Sequence, residues 1–401
     1  MASGTDAAQR GVEIDVVDSN EALASLRDEW DALLTKAEGV SVFVSWEWNH
    51  HWWRHYGKGH QLRVLTARQD GRLTGILPLY IQQTAVYRAC PVRLLRLVGT
   101  GGDTSPDYLG PLLEPVGAGP TAAALARYLL DELPGWDVLQ LSDLTAESAF
   151  WSELNAQCGA RGLPRSAGIS ANIAYMALPA SWEDYLASVH RDRRYTIRNT
   201  RRKFETQHKG RFYVHADEAG IDQPLDSLIR LHHRRWQAAK VEKHAFSSPE
   251  YVGFHRDVIH ACARRGWIRF YCIDAGDVPV AVFYCYRFRG QIYYFQAGFN
   301  PDFERLRPGL VLIGYAVEHA IREGNQVFDF LRGDHEYKNQ WGKSTRDTHT
   351  LTAYRPGLRA FVYRVREERV PAAKRLVKRL LPFLRRRQPA AHSPSAGRPD
   401  V

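Results

Sequence analysis

Apolar positions recur along this chain with two periods, and the switches between them divide it into short elements. A β-type run at Val12 to Val17 precedes a helix capped by Ser19 or Asn20 and amphipathic through Leu34. Phe43 to Tyr56, rich in Trp and His, predicts a second helix. Leu62 to Arg68 and Leu73 to Ile81 alternate as strands around Gln69-Asp70-Gly71-Arg72, a strong hairpin signal. Strands are predicted at Val92–Val98, Tyr108–Leu113, Trp136–Leu141 and Ile173–Leu178, with helices at about 120–132 and 146–160. Helical segments over 181–208 then lead to a strand at Phe212–His215 and helices at about 224–240 and 248–265. Three strands follow, Ile268–Ile273, Val278–Arg287 and Gln291–Gly298, joined by tight Gly-containing turns. A helix at Gly309–Arg322, a buried strand at Val327–Leu331 and a strand near 350–355 that closes the sheet complete the pattern.

The two halves share this plan. Leu65–Tyr80 and Tyr271–Tyr286 overlay without a gap, placing Asp70-Gly71 on Gly276-Asp277 and Gly75 on Ala281. A repeat this long is a duplicated domain rather than a solenoid, and 401 residues exceed what one hydrophobic core usually serves. The expectation is an α/β chain with mixed sheets and two similar domains, 11–178 and 179–357. From about 358 onward the prediction is one basic amphipathic helix, interrupted at Pro371, and a disordered Pro/Ser/Ala-rich end.

Composition changes this picture little; charge placement changes it more. No apolar run approaches a membrane span, no secretory signal is visible, and the five cysteines show no metal-ligand or C-x-x-C spacing. These features predict a cytoplasmic protein without a metal. The net charge of +10 resides in two segments: Arg359–Arg387 carries +9 and His190–Lys209 carries +6, leaving −5 for everything else. The body is therefore mildly acidic, which argues against DNA binding by a globally basic surface. The basic tail 359–387 suits weak contact with an anionic membrane face or with a synthase complex, or docking on the body.

Candidate chemistry concentrates in Gln291 to Gly342. Pro308 suits a first helical turn, and Gly309 admits close approach of a ligand. Free N–H groups of Gly309, Leu310 and Val311, with the helix dipole behind them and Arg305 and Arg307 beside them, are predicted to bind a phosphate or pyrophosphate. A plain core-helix start is the alternative reading of Pro-Gly.

A β-hairpin feeding such a helix and then a buried strand resembles the GNAT acyltransferases. FVSWEWNHHWWRHYG, RDRRYTIRNTRRKFE, AGFNPDFERLRPGLVLIGYAVEHAI and FDFLRGDHEYKNQWG further resemble the CelD-like branch, associated with bacterial cellulose and exopolysaccharide synthesis. The resemblance implies tandem GNAT-like domains, with an N-terminal one that is degenerate for the donor, and acetyl-CoA or another acyl-CoA as acyl donor. It implies a pyrophosphate on the 308–311 helix start and a pantetheine beside the strand bearing Gln296 and Gly298. The general GNAT phosphate loop, Arg/Gln-x-x-Gly-x-Gly/Ala, is shortened here to Arg307-Pro308-Gly309.

Acyl transfer needs the acceptor deprotonated and the leaving thiolate stabilised. Asp329 and Asp334 are candidate bases, Tyr337 a candidate proton donor, and Lys338 a partner for an acid or an acceptor anion. Asp329, alternating with Phe328 and Phe330, has the alternative role of anchoring its loop. Trp341 is a candidate acceptor contact, though tryptophans are more often core. Arg194 and Arg198, near one face of the basic 190–209 helix, could clamp the CoA 3′-phosphate or an anionic acceptor; the alternative is a solvated charged surface.

The Trp/His cluster between Trp46 and His55 suggests core or interdomain packing first, and sugar stacking second. The loop Gly99–Asp103 runs into a strand rather than a helix and so lacks a dipole for phosphate. The N-terminal half is expected to supply the acceptor side, a small molecule or saccharide, through Asp103, Asp107 and Tyr108. Two other functions stay open: a Fem-type transferase taking an aminoacyl group from tRNA, and a non-catalytic accessory factor of a polysaccharide synthase.

Overall fold

The structure, a computed structural model, describes residues 11–369 except 88, 105, 146, 239, 241–244, 334, 335 and 343, and omits the side chains of 336, 337, 339, 368 and 369. The N-terminal half runs β1 (Glu13–Val17), α1 (Asn20–Ser25), α2 (Arg27–Lys36), α3 (Trp46–Tyr56), β2 (Gln61–Gln69), β3 (Arg72–Val86) and β4 (Cys90–Leu97). It continues through β5 (Leu112–Leu113), α4 (Ala118–Arg127), β6 (Val138–Thr145), α5 (Ala149–Ala160) and β7 (Arg165–Ala177). The C-terminal half begins with α6 (Trp182–Ser188), α7 (Arg191–Gln207), β8 (Gly210–His215), α8 (Asp222–Ala238) and α9 (Pro249–Arg264). Then come β9 (Ile268–Ala275), β10 (Val278–Phe288), β11 (Gln291–Phe299), α10 (Pro308–Arg322), β12 (Val327–Asp329), α11 (Glu336–Trp341), β13 (Ser344–Tyr354) and α12 (Leu358–Arg364).

The thirteen strands of the described residues form one mixed sheet, ordered β1-β2-β3-β4-β6-β13-β7-β12-β11-β10-β9-β8 with β5 on β3. Read from either end, the order is the same pattern, so the halves are related by an approximate two-fold. The sequence overlay holds in the backbone: a ladder irregularity leaves Thr74 out of register in β2–β3, and Val280, its overlay partner, in β9–β10.

The strand near 350–355 does not close the sheet. β13 extends from Ser344 to Tyr354 and lies at its centre, paired with β6 on one side and β7 on the other. The two halves thus exchange their last strands. The strand expected over Tyr108–Leu113 shrinks to Leu112–Leu113. The helical segments predicted over 181–208 are two helices, separated at Val189 in an extended conformation. The tail beyond 369 lies outside the described residues; before it, Ala360 and Tyr363 of α12 pack against Val92, Leu94 and Val138.

One apolar core spans both halves, running from Trp30 and Trp48 through Phe254 to Tyr286. A second covers the opposite face of the C-terminal half under α7 and α10, through Ile197, Phe204, Leu312 and Phe330. Trp48 joins the halves: its ring meets Phe43 at 4.8 Å, Phe254 at 5.0 Å and Phe295 at 5.8 Å. The Trp-rich helix therefore packs as interdomain core. Among the described residues no helix is long and apolar enough to cross a membrane.

Candidate active site

β11 and β12 are parallel and pair only at Gln291–Tyr293 with Val327–Asp329; beyond Tyr293 the strands splay. β11 also carries a ladder irregularity, Tyr284 opposing Gln296 while Cys285 opposes Tyr294, which leaves Phe295 unpaired against β10. A cavity of about 580 Å³ occupies the splay, with Tyr294, Gln296 and Ala297 on one wall and the start of α10 on the next. Its described lining holds four cations, Arg235, Arg307, Arg332 and Lys338, against one carboxylate, Glu304. Arg332 is already paired with two carboxylates, which leaves Arg235, Arg307 and Lys338 to favour an anionic ligand over a cationic one.

The equivalent splay in the N-terminal half is filled by the chain itself. β4 and β6 pair only at Leu94–Leu95 with Val138–Leu139. The segment that follows folds back into the gap: the Leu109 N–H donates to the Asp143 carbonyl at 2.8 Å, and Leu112–Leu113 pairs with Gly75–Ile76. A Cβ on Gly75 would stand 2.7 Å from Thr121 of α4, so no groove remains between helix and sheet. Among the described residues the splay therefore leaves a cavity in the C-terminal half and none in the N-terminal half.

The start of α10 is set by Arg307, whose left-handed φ of 51° turns the chain into Pro308. No side chain caps this end. Leu310 and Val311 already donate to the Arg307 carbonyl, at 2.9 and 3.2 Å, and Val311 is buried, so these amides are less available than the sequence suggests. Pro308 has no N–H, which leaves Gly309 as the open donor of the first turn. A Cβ there would meet nothing within 4 Å, so the approach to the amide is unobstructed. Arg307 lines the cavity, whereas Arg305 is exposed and outside it. Gly298 faces away: its missing Cβ lets α8 approach, with the Leu228 carbonyl at 2.9 Å from where that atom would be. Gln296 lines the cavity and is hydrogen-bonded to the Tyr251 side chain.

Behind the cavity, loops of the two halves interlock. Asp329 is fully buried and absent from the cavity lining. It accepts from the Tyr108 hydroxyl at 2.8 Å and from the Leu331 N–H at 2.8 Å, with Arg346 at 3.9 Å. Burial pushes its carboxyl up to about 6, against the lowering pull of those donors. Asp107, also buried, accepts from the Arg332 N–H at 2.8 Å and from Nε at 2.6 Å, while Asp143 accepts from the other end of the same guanidinium. Among the described residues Lys338 pairs with no carboxylate; it donates to three consecutive carbonyls, Phe330, Leu331 and Arg332, at 2.8, 3.1 and 2.6 Å. Burial pulls its ammonium down to about 8. Three acceptors stabilise the left-handed turn at Leu331 (φ 50°) that delivers Arg332 to the N-terminal half.

The structure therefore gathers Asp107, Tyr108, Asp329 and Lys338, from chain segments far apart in sequence. It does not gather the other candidates. Asp103 accepts from the Tyr56 hydroxyl at 2.5 Å, on the outer side of the seam. Arg194 and Arg198 line a separate, shallow groove on α7. Trp341 does line the cavity, held between the Tyr185 ring at 5.6 Å and the Arg193 guanidinium at 4.8 Å. Asp334 and the side chain of Tyr337 lie outside the described residues. Sequence reasoning missed Arg332, Asp143 and His232, which accepts from Trp236 at 3.0 Å on the cavity wall. Only the run of charge in the Arg332 loop could have flagged the first.

Residues 191–339 match the family model described as the acetyltransferase (GNAT) domain. The chain carries a GNAT acyltransferase domain. The β11–β12 cavity, α10 and the Arg332 loop all lie within the matched residues or at their edge. Solved structures of similar fold span both halves. FemX covers 84% of this chain and 96% of its own, with a TM-score of 0.57 at 11% identity. A conserved protein of unknown function from Bacteroides thetaiotaomicron VPI-5482 gives 85%, 100%, 0.52 and 11%. The C-terminal domain of a putative lysylphosphatidylglycerol synthetase from Agrobacterium fabrum gives 86%, 95%, 0.51 and 10%. Among curated protein sequences no match emerges.

Proposed function

We propose that the protein transfers an acyl group, most simply acetyl, from acyl-CoA to an amine or hydroxyl of a small-molecule or saccharide acceptor. The observation that carries this reading is the cationic cavity in the β11–β12 splay, ending at the uncapped start of α10. In this reading the donor's pyrophosphate lies against the Gly309 N–H and Arg307, where dipole and charge act together. Its pantetheine runs along Tyr294–Ala297. Lys338 holds a positive charge at the inner end of the cavity, where negative charge develops on the thioester oxygen during attack. Asp329 acts as a positioning residue, fixing Tyr108 and the Leu331 turn. A saccharide-related acceptor rests on the resemblance in sequence, and so does contact of the 359–387 tail with a synthase or membrane.

A second reading, transfer of an aminoacyl group from tRNA, draws on α7. Arg191, Arg194, Arg198 and Arg202 line its outer groove around the exposed Tyr195, and no acidic residue joins them. Cations interleaved with an aromatic suit a phosphate backbone with stacked bases. Thermal stabilisation by CoA, acetyl-CoA, longer acyl-CoAs and tRNA separates the two readings. A shift with an acyl-CoA, lost in Gly309→Glu, supports the first; a shift with tRNA alone, falling with salt, replaces it with the second.

A further inference from the structure

Of the cations in the described lining of the β11–β12 cavity, one has no role assigned above. Arg332 is paired with Asp107 and Asp143, Lys338 is held by three carbonyls, and Arg307 stands at the start of α10. Arg235, in the last turn of α8, has no carboxylate partner among the described residues. Its contacts are aromatic instead: the guanidinium lies over the Phe299 ring at 4.6 Å and over the Trp236 ring at 5.3 Å. A guanidinium held over rings keeps N–H donors open at its edge and is ordered before a ligand arrives.

Neighbouring contacts fix where those donors stand. Trp236 donates from its indole N–H to His232 Nε2 at 3.0 Å, which holds the ring that carries Arg235. The adjacent Arg234 pairs with Asp302 at 2.9 Å and so ties the end of α8 to the turn Pro301–Leu306. That turn leads through Arg307 directly into α10. Phe299, Glu304, Arg307 and Gly309 line the same cavity, so Arg235 lies at its α10 mouth rather than at the inner end beside Lys338. Glu304 and Arg307 offset one another in charge there, which leaves Arg235 uncompensated.

We propose that Arg235 binds the 3′-phosphate of the coenzyme A donor and makes the site select that nucleotide over its 3′-dephosphorylated form. The assignment rests on the acyl-CoA reading given above. Coenzyme A carries two anionic groups, a pyrophosphate and a 3′-phosphate, joined through one ribose. With the pyrophosphate against Gly309 and Arg307, the nucleotide emerges at the same mouth, where the remaining cation is Arg235. A phosphate meets two donors of a planar guanidinium at once, a geometry that an ammonium does not offer. Arg194 and Arg198, candidates for this phosphate by sequence, line the separate groove on α7 and are absent from the cavity.

The test is calorimetric titration of the full chain with coenzyme A and with 3′-dephospho-coenzyme A. The wild type should bind the phosphorylated form about tenfold or more tightly than the other. Arg235→Gln should weaken coenzyme A by that factor and leave the dephosphorylated form unchanged, so that the preference disappears. Its melting temperature without ligand should stay close to that of the wild type, since no ion pair is broken. Arg307→Gln should weaken both forms and keep the preference, because both carry the pyrophosphate. Arg235→Lys, which retains the charge but not the planar fork, should keep only part of it. The proposal is overturned if the wild type binds the two forms equally, or if Arg235→Gln retains the preference; in either case binding of coenzyme A still upholds the acyl-CoA reading. Binding of neither form overturns that reading, and this assignment with it.

Discussion

Replacing Asp329 by Asn removes a buried charge while keeping the shape of the seam. The Asn oxygen can accept from Leu331 N–H as Asp329 does at 2.8 Å, and its NH₂ can donate to Tyr108, whose hydroxyl then accepts instead of donating. The cost of the charge follows from its titration. Burial holds the folded-state carboxyl at about 6 against 3.8 in the unfolded chain. A folded value above the unfolded one means that the protonated form stabilises the fold. That contribution is complete below the unfolded value and is lost as pH rises through about 6. The gap of roughly two units corresponds to about 3 kcal/mol above neutrality, an upper figure because neighbouring groups relax. Urea unfolding of both proteins, across pH from about 4 to about 8, checks this. The two curves should coincide at the acid end and separate through pH 6, with the variant more stable at the alkaline end. His50 and His51, held down to about 4 by burial, lose stability as pH falls, but they do so equally in both proteins and cancel in the difference. A variant less stable than wild type at alkaline pH, or a difference that does not change with pH, would refute the reasoning.

Three further outcomes follow from the same geometry. Arg332→Ala leaves Asp107 and Asp143 buried without their cation; with about a third of the guanidinium in solvent, a loss of about 2–3 kcal/mol in urea unfolding is expected. Lys338→Met keeps the length of the side chain but frees three carbonyls and removes the charge facing the developing oxyanion, and should lower kcat while changing the KM for the acyl donor little. An unchanged kcat would assign Lys338 to the fold alone. Trp48→Ala, at the junction of the halves, should cost about 3–5 kcal/mol, measured by denaturant unfolding.

What the sequence reveals and conceals has physical causes. The duplicated hairpins are legible because Asp70-Gly71 and Gly276-Asp277 punctuate strongly apolar strands, and even the irregularity at Thr74 and Val280 repeats. The exchanged strands are not legible. β7 reads RSAGISANIAYMA and β13 reads STRDTHTLTAY, so only their apolar ends rise above loop composition. Their stability comes from pairing at the centre of the sheet, a tertiary effect with no local signature. The same limit applies to the site. Asp107, Tyr108 and Asp329 could be singled out by type and position, but the bond between Tyr108 and Asp329 spans 221 residues. The Arg332–Asp143 pair spans 189, and no spacing rule reaches that far. At α10 the difference is finer. A Pro-Gly start predicts three open amides, whereas the left-handed Arg307 brings its carbonyl within reach of two of them.

The central claim is that the acyl donor lies in the splay of the C-terminal half alone. Amide hydrogen exchange with and without acetyl-CoA tests it directly. The account predicts added protection over 294–299 and 304–311, with no change over 97–118, where the chain fills its own groove. Protection over 97–118, or none over the β11–α10 segment despite saturating acetyl-CoA, would contradict it.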